Sequence, residues 1–168
     1  DYGFKKETSF TTLGIKYTTD HNDYQKNNEK KLHKKITKIL NFWSKIYLTV
    51  IGKVTVCKTF VYSQLAYFCP VLDFSSEFVR NIENLISNFV NLHLNVGKNK
   101  IFDNIEEGGL GLFRVKDYEK AIKASFFRKT INNPDTWASV INSCKDCTIE
   151  HAYVKDESLA KYFPASQD

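Results

Sequence analysis

The chain has 168 residues, of which 42% are hydrophobic and 26% charged, and its formal net charge is +5. This balance is typical of one globular domain, or of one domain with an appendage. The longest apolar stretch, residues 59–72, is too short for a membrane helix and contains Pro70, and no segment has the pattern of a secretory signal. We therefore expect an intracellular protein of the nucleus or cytoplasm, with reduced thiols and no membrane partner.

The first predicted elements are a short strand and three amphipathic helices. Residues 10–17 alternate weakly, which is typical of a strand or a hairpin arm. Apolar residues three and four apart then predict helices over 23–47, 49–68 and 75–92. The expected helix signals are a cap at Thr49, a cap at Ser75 or Ser76, and a stop at Pro70.

The second half of the chain is expected to form a smaller helical segment. A polar loop is predicted over 95–104, and a tight turn over residues 108–111, where three glycines relieve crowding. A fourth helix is predicted over 116–130, a short helix after Pro134, and a loose tail. The expected fold is mainly α, with boundaries at 1–20, 21–94 for a three-helix bundle, 95–142 for a linker and 143–168 for the tail.

Positive charge is concentrated in the first part of the chain. Residues 1–100 contain 15 Lys and Arg against 8 Asp and Glu, whereas residues 101–168 contain 9 against 11. The basic group contains Lys26, Lys30, Lys31, Lys34, Lys35, Lys38 and His33, followed by Lys45, Lys53 and Lys58. Such lysines can line a groove for a polyanion, and they can equally form a solvated face.

Two residues of the basic half receive individual predictions. Lys53 is the sharpest candidate for a phosphate contact, because it follows Gly52 near a helix start, where backbone N–H groups already favour an anion. Trp43 continues the apolar stripe of the first helix and is predicted to be a core anchor.

The remaining polar residues do not form a recognisable catalytic or metal-binding set. The sequence contains no Asp-Asp pair and no nucleophile–base–acid pattern, so we assign no catalytic residue. Cys144, Cys147 and His151 have no fourth partner at zinc-knuckle spacing, so an unpaired C-x-x-C is favoured over a metal site. Cys57 and Cys69 are expected to be buried small hydrophobes.

Four short motifs occur in a fixed order along the chain. Residues 43–54 read WSKIYLTVIGKV, with Leu13-Gly14-Ile15 upstream, and with Pro70 and the GGLGL of residues 108–112 downstream. This series resembles the region after the polymerase active site of LINE-type (non-LTR) retrotransposon reverse transcriptases, and the resemblance covers residues 8–142. Two departures are Thr11-Thr12, where the family usually has an aromatic residue, and Asn91, where it often has tryptophan.

The resemblance implies a role for each region. Residues 1–20 would be the end of the palm, with Leu13 and Gly14 near the primer end. Residues 21–94 would be the thumb, which grips template–primer, and 95–142 the linker beyond it. Partners would be an RNA–DNA or RNA duplex and the upstream fingers and palm of the same polyprotein. From the basic group we select Lys31, Lys34, Lys35, Lys38, Lys53 and Lys58 as the candidate nucleic-acid-binding residues. The resemblance itself supports only Lys53, because the family has Lys or Arg at the matching position.

The same resemblance implies that the catalytic residues of the polymerase lie outside this chain. In the family the catalytic aspartates lie upstream, so Mg is implied for the full-length enzyme and no cofactor for this chain. Because the sequence begins at Asp1 and contains no methionine, we expect a piece of a longer frame that holds nucleic acid but does not polymerise. The alternatives are a helical adaptor that binds protein, and a degenerate retroelement copy without present activity.

Overall fold

A computed structural model describes residues 8–92 and 97–132 of the chain. It divides the chain into two compact units, Asp1–Val115 and Lys116–Asp168. The described part is mainly helical, with a short antiparallel hairpin at its start followed by helices, so the predicted fold class is confirmed. No helix within these ranges is long and apolar enough to cross a membrane.

The first element is a two-stranded hairpin. Strands β1 (Ser9–Thr12) and β2 (Ile15–Thr18) pair in a register that sets Thr12 opposite Ile15. The two-residue turn between them, Leu13-Gly14, has φ values of 49° and 79°, as hairpin turns with two left-handed residues require. Glycine adopts this conformation readily, but leucine does not.

Helix α1 (His21–Trp43) begins earlier and ends earlier than predicted. Asp20 caps it by accepting hydrogen bonds from the N–H groups of Asn22 and Asp23, at 2.7 and 3.2 Å. Leu32, Ile36 and Leu40 form its buried stripe. The helix ends at Trp43 instead of the predicted Tyr47 because the residues that follow are exposed, so no packing supports another turn.

The second predicted helix consists of α2 (Val50–Val56), a π turn (Cys57–Val61) and α3 (Tyr62–Phe68). Thr49 caps α2 as predicted, accepting from the N–H of Gly52 at 3.2 Å. Buried residues recur every four positions, at Lys53, Cys57, Val61, Leu65 and Cys69. In a regular α-helix a spacing of four rotates the buried stripe by about 40° per step. The wider π turn offsets this rotation and keeps the stripe on the core.

Helix α4 (Ser76–Asn91) packs its apolar side on α1. Ser75 caps it, accepting from the N–H of Phe78 at 3.2 Å. The buried carboxylate of Glu29 on α1 accepts from the N–H and the hydroxyl of Ser75, at 2.7 and 2.9 Å. One carboxylate therefore fixes the start of α4 against the middle of α1.

The segment predicted as a polar loop over 95–104 contains a short helix, α5 (Lys98–Phe102). Its single apolar anchor, Ile101, is fully buried, and such an isolated residue produces no periodic signal in the sequence. The predicted glycine turn follows: Gly108 and Gly111 have φ values of 73° and 64°. A Cβ on Gly109 would lie 2.2 Å from the carbonyl oxygen of Asp103.

Helix α6 (Val115–Asn132) matches the fourth predicted helix within two residues at each end. In the second unit Glu119 accepts from Lys116 and Lys123, at 2.8 and 2.7 Å. The predicted short helix after Pro134, the tail and the Cys144, Cys147, His151 group lie outside the described residues.

Candidate nucleic-acid interface

The hairpin turn is held against α1 and α3 by side chains from both helices. Lys31 donates from Nζ to the carbonyl oxygen of Gly14 at 2.7 Å, and the Tyr67 hydroxyl donates to the carbonyl oxygen of Leu13. Buried Asn28 pairs with the backbone N–H and C=O of Lys16, at 2.9 and 2.8 Å. These bonds fix the position of the hairpin on α1.

An open groove of about 360 Å³ lies where the hairpin, α1 and α3 meet. We call it the hairpin groove. It is lined by Leu13, Gly14, Lys31, Leu32, Lys35, Ser63, Gln64, Tyr67 and Phe68. The structure thus brings Leu13 and Gly14, the residues expected near a primer end, together with two of the lysines expected to bind nucleic acid.

Three exposed lysines of α1 extend this basic surface along the helix. Lys31, Lys35 and Lys38 are separated by four and three residues and therefore lie on one side of α1. We call them the lysine face. In the described part of the chain none of the three forms an ion pair with an acidic residue. Their ammonium groups are free to contact an external polyanion, apart from the bond of Lys31 to Gly14.

A neighbouring side of α1 has a mixed charge. A second groove there is lined by Lys26, Lys30 and Lys34 together with two carboxylates, those of Glu29 and Glu77. Lys34 therefore lies at the border between the two sides instead of within the hairpin groove. A phosphate backbone would be repelled by nearby carboxylates, so the structure favours the lysine face over this side.

A simple charge count locates the basic stretch in the sequence, although not which of its lysines line the hairpin groove. No Asp or Glu occurs between Glu29 and Asp73, a stretch that contains Lys30, Lys31, Lys34, Lys35, Lys38, Lys45, Lys53 and Lys58. It begins on α1 and ends just beyond α3, so it supplies both helical walls of the hairpin groove. Several cations without neighbouring carboxylates are what backbone-directed phosphate binding requires.

Lys53, which the sequence favours for a phosphate contact, does not lie on this surface. Its side chain is only 6% exposed, and Nζ donates to the carbonyl oxygens of Val90, at 3.3 Å, and Leu92. Helix C-termini leave carbonyl groups unpaired and favour cations. Lys53 therefore stabilises the end of α4 from within the core, and burial lowers the pKa of its ammonium group.

Lys58 and Trp43 also differ from the simplest expectation. Lys58 is exposed but lies on the π turn, with Nζ 5.9 Å from the centre of the Phe113 ring, and it does not line the hairpin groove. Trp43 is half-buried instead of a full core anchor, with ring contacts to Phe42 at 5.7 Å and Phe60 at 5.3 Å. The stripe of α1 ends where Trp43 reaches the edge of the core.

Neither a metal site nor a reactive thiol occurs in the described ranges. Residues 8–92 and 97–132 contain no group of three or more His, Cys, Asp or Glu that could hold a metal ion. Cys57 and Cys69 are buried, as predicted. Burial raises the pKa of Cys57 to about 12, which keeps its thiol neutral and unreactive.

No protein-family model, curated protein or solved structure matches this chain. The class of protein that fold and surface define is a helical bundle with an N-terminal hairpin and a basic groove between them.

Proposed function

We propose that this chain binds the RNA–DNA template–primer duplex of a LINE-type reverse transcriptase, as a palm-end, thumb and linker fragment without catalytic aspartates. The ordered motifs supply the family hypothesis. The observation that carries the binding site is the hairpin groove, where Leu13 and Gly14 adjoin Lys31 and Lys35 on a side of α1 without carboxylates.

The dimensions of the lysine face suit a phosphate backbone. Lys31 and Lys38 are seven residues apart, which is about 10 Å along a helix. In B-form DNA successive phosphates of one strand rise by about 3.4 Å along the duplex axis, so a face of this length lying parallel to such an axis covers about three of them. Such contacts position a duplex without reading its sequence.

Binding of a labelled RNA–DNA hybrid, followed by fluorescence anisotropy, tests this proposal. Lys31 is kept because it also holds the hairpin. Changing Lys35 and Lys38 together to Gln should weaken binding by about tenfold near 0.1 M salt, equally for two unrelated hybrid sequences, because two phosphate contacts are lost.

The matched control changes Lys26 and Lys30 to Gln, which removes the same charge from the neighbouring side of α1 that carries carboxylates. This variant should bind within about twofold of the parent, since its lysines lie beside carboxylates. Circular dichroism checks that both variants fold. Equal losses in both variants would refute a defined lysine face, and unchanged affinity in both would favour the protein-binding adaptor.

A further inference from the structure

A second exposed surface lies at the other end of α1. Phe42 and Trp43 end the helix, and their rings meet edge to face with centres 5.7 Å apart. The ring of Phe60, from the π turn, has its centre 5.3 Å from that of Trp43. We call these three residues and the neighbouring Tyr47 the aromatic corner.

The rings of the aromatic corner are open to solvent to an unusual degree. Phe42 is 63% exposed, Phe60 40% and Tyr47 93%. Exposed Ile46 and Ile51 lie within the same stretch of chain. Single exposed apolar residues need no explanation, but a group of adjoining aromatic rings marks an interaction site.

The charges around the corner favour a polyanion over an apolar protein surface. A groove of about 440 Å³ beside it is lined by residues 43–50, which include Lys45, together with Lys53 and Leu92. Among the described residues no acidic side chain lines this groove. The corner also lies wholly within the stretch that contains lysines but no Asp or Glu. Exposed aromatic rings beside unopposed cations are the combination that binds single-stranded nucleic acid.

We propose that the aromatic corner binds single-stranded nucleic acid by stacking unpaired bases on Phe42, Trp43 and Phe60, with Lys45 contacting the phosphate backbone. The rings supply faces that any base can use, so binding tolerates changes of sequence. Trp43 lies eight residues beyond Lys35, about 12 Å along α1. A strand that leaves the hairpin groove unpaired can therefore reach the corner, although the corner does not need the groove in order to bind.

Quenching of Trp43 fluorescence is the direct test. The chain has two tryptophans, so Trp137→Phe leaves Trp43 as the single reporter. Short unstructured oligonucleotides, one of RNA and one of DNA, should quench its emission as bases stack on the ring. An abasic oligonucleotide of equal charge should bind more weakly and quench little.

Two substitutions made in the Trp137→Phe variant separate the loss of base stacking from the loss of an exposed aromatic ring elsewhere. Phe42→Ala should weaken single-strand binding by roughly 5- to 100-fold, the range found when one base-stacking side chain is removed. Phe10→Ala removes an exposed ring of the hairpin, and should leave single-strand affinity within about twofold. Hybrid duplex affinity should be unchanged in Phe42→Ala, so that failure of the corner and failure of the hairpin groove are distinguishable.

Three results would overturn the proposal. The first is Trp43 emission that does not respond to either oligonucleotide. The second is an equal loss of affinity in Phe42→Ala and Phe10→Ala. The third is self-association in sedimentation that Phe42→Ala abolishes while no oligonucleotide quenches Trp43, which would make the corner an interface between copies of this chain.

Discussion

The sequence favours Lys53 for a phosphate contact, whereas in the structure its ammonium group binds the end of α4. The variant Lys53→Met tests which of these two roles is correct. Methionine keeps the length of the side chain and removes the ammonium group that donates to the carbonyl oxygens of Val90 and Leu92. Leaving a buried acceptor unpaired costs about 1–3 kcal/mol, and the bond to Val90 is buried whereas that to Leu92 is partly exposed. Lys53→Met also removes the desolvation penalty of the buried charge, which offsets part of the cost of the unpaired carbonyl groups.

The net expectation is a loss of about 1–2 kcal/mol in the free energy of unfolding. For a chain of this size that corresponds to a decrease in Tm of roughly 2–8 °C. Lys45→Met removes an exposed lysine nearby and should leave Tm within about 1 °C. Thermal melts by circular dichroism measure both. If Lys53→Met melts like the parent but loses hybrid binding, Lys53 contacts phosphate and the structural role is wrong.

The pH dependence of this effect has a defined sign. Burial lowers the pKa of Lys53 below its ordinary value of 10.5. Between these two pKa values the unfolded chain binds more protons than the folded chain, so this group's contribution to stability increases with pH there. The desolvation penalty of the charged ammonium is absent above 10.5 and reaches its full size as the pH falls through the lowered folded value, and at neutral pH the hydrogen bonds to Val90 and Leu92 outweigh it. Urea titrations over an alkaline pH series should therefore show the parent gaining stability relative to Lys53→Met.

Three further predictions concern the two turns and nucleotide addition. Gly109→Ala should destabilise the fold by about 1–3 kcal/mol because its Cβ would clash with the backbone of Asp103, whereas Gly97→Ala, which meets nothing within 4 Å, should be neutral in the same melts. Leu13→Asn should raise stability by about 1 kcal/mol, since Leu13 is 83% exposed and has a φ of 49° that Asn adopts more readily. In primer extension with Mg²⁺ the purified chain should add no nucleotide, because two-metal transfer needs clustered carboxylates; metal-dependent extension would contradict the fragment hypothesis.

Local signals predicted much of the fold. Thr49 and Ser75 were recognisable as caps because a capping side chain bonds to backbone only two or three residues away. The glycine turn is predictable because three closely spaced glycines are themselves a local signal for a tight turn. The π turn is not predicted, because the series of buried residues spaced by four begins at Lys53, whose burial depends on a contact with Val90.

The parts of the site that depend on distant contacts could not be predicted in the same way. Lys53 meets Val90 across 37 residues, and Lys31 meets Gly14 across 17. Composition identifies the lysines of α1, but only the packing of the hairpin and the carboxylates beside Lys30 separate Lys35 and Lys38 from Lys30. Trp43 was assigned to the core because periodicity gives the direction of a side chain and not where the core ends.

The salt dependence of hybrid binding tests the central claim most directly. The logarithm of the association constant, plotted against the logarithm of salt concentration, should fall steeply for the parent. In the variant with Lys35 and Lys38 changed to Gln, the slope should be smaller by about two units, roughly one for each lost phosphate contact. A slope identical to that of the parent would contradict phosphate binding by the lysine face.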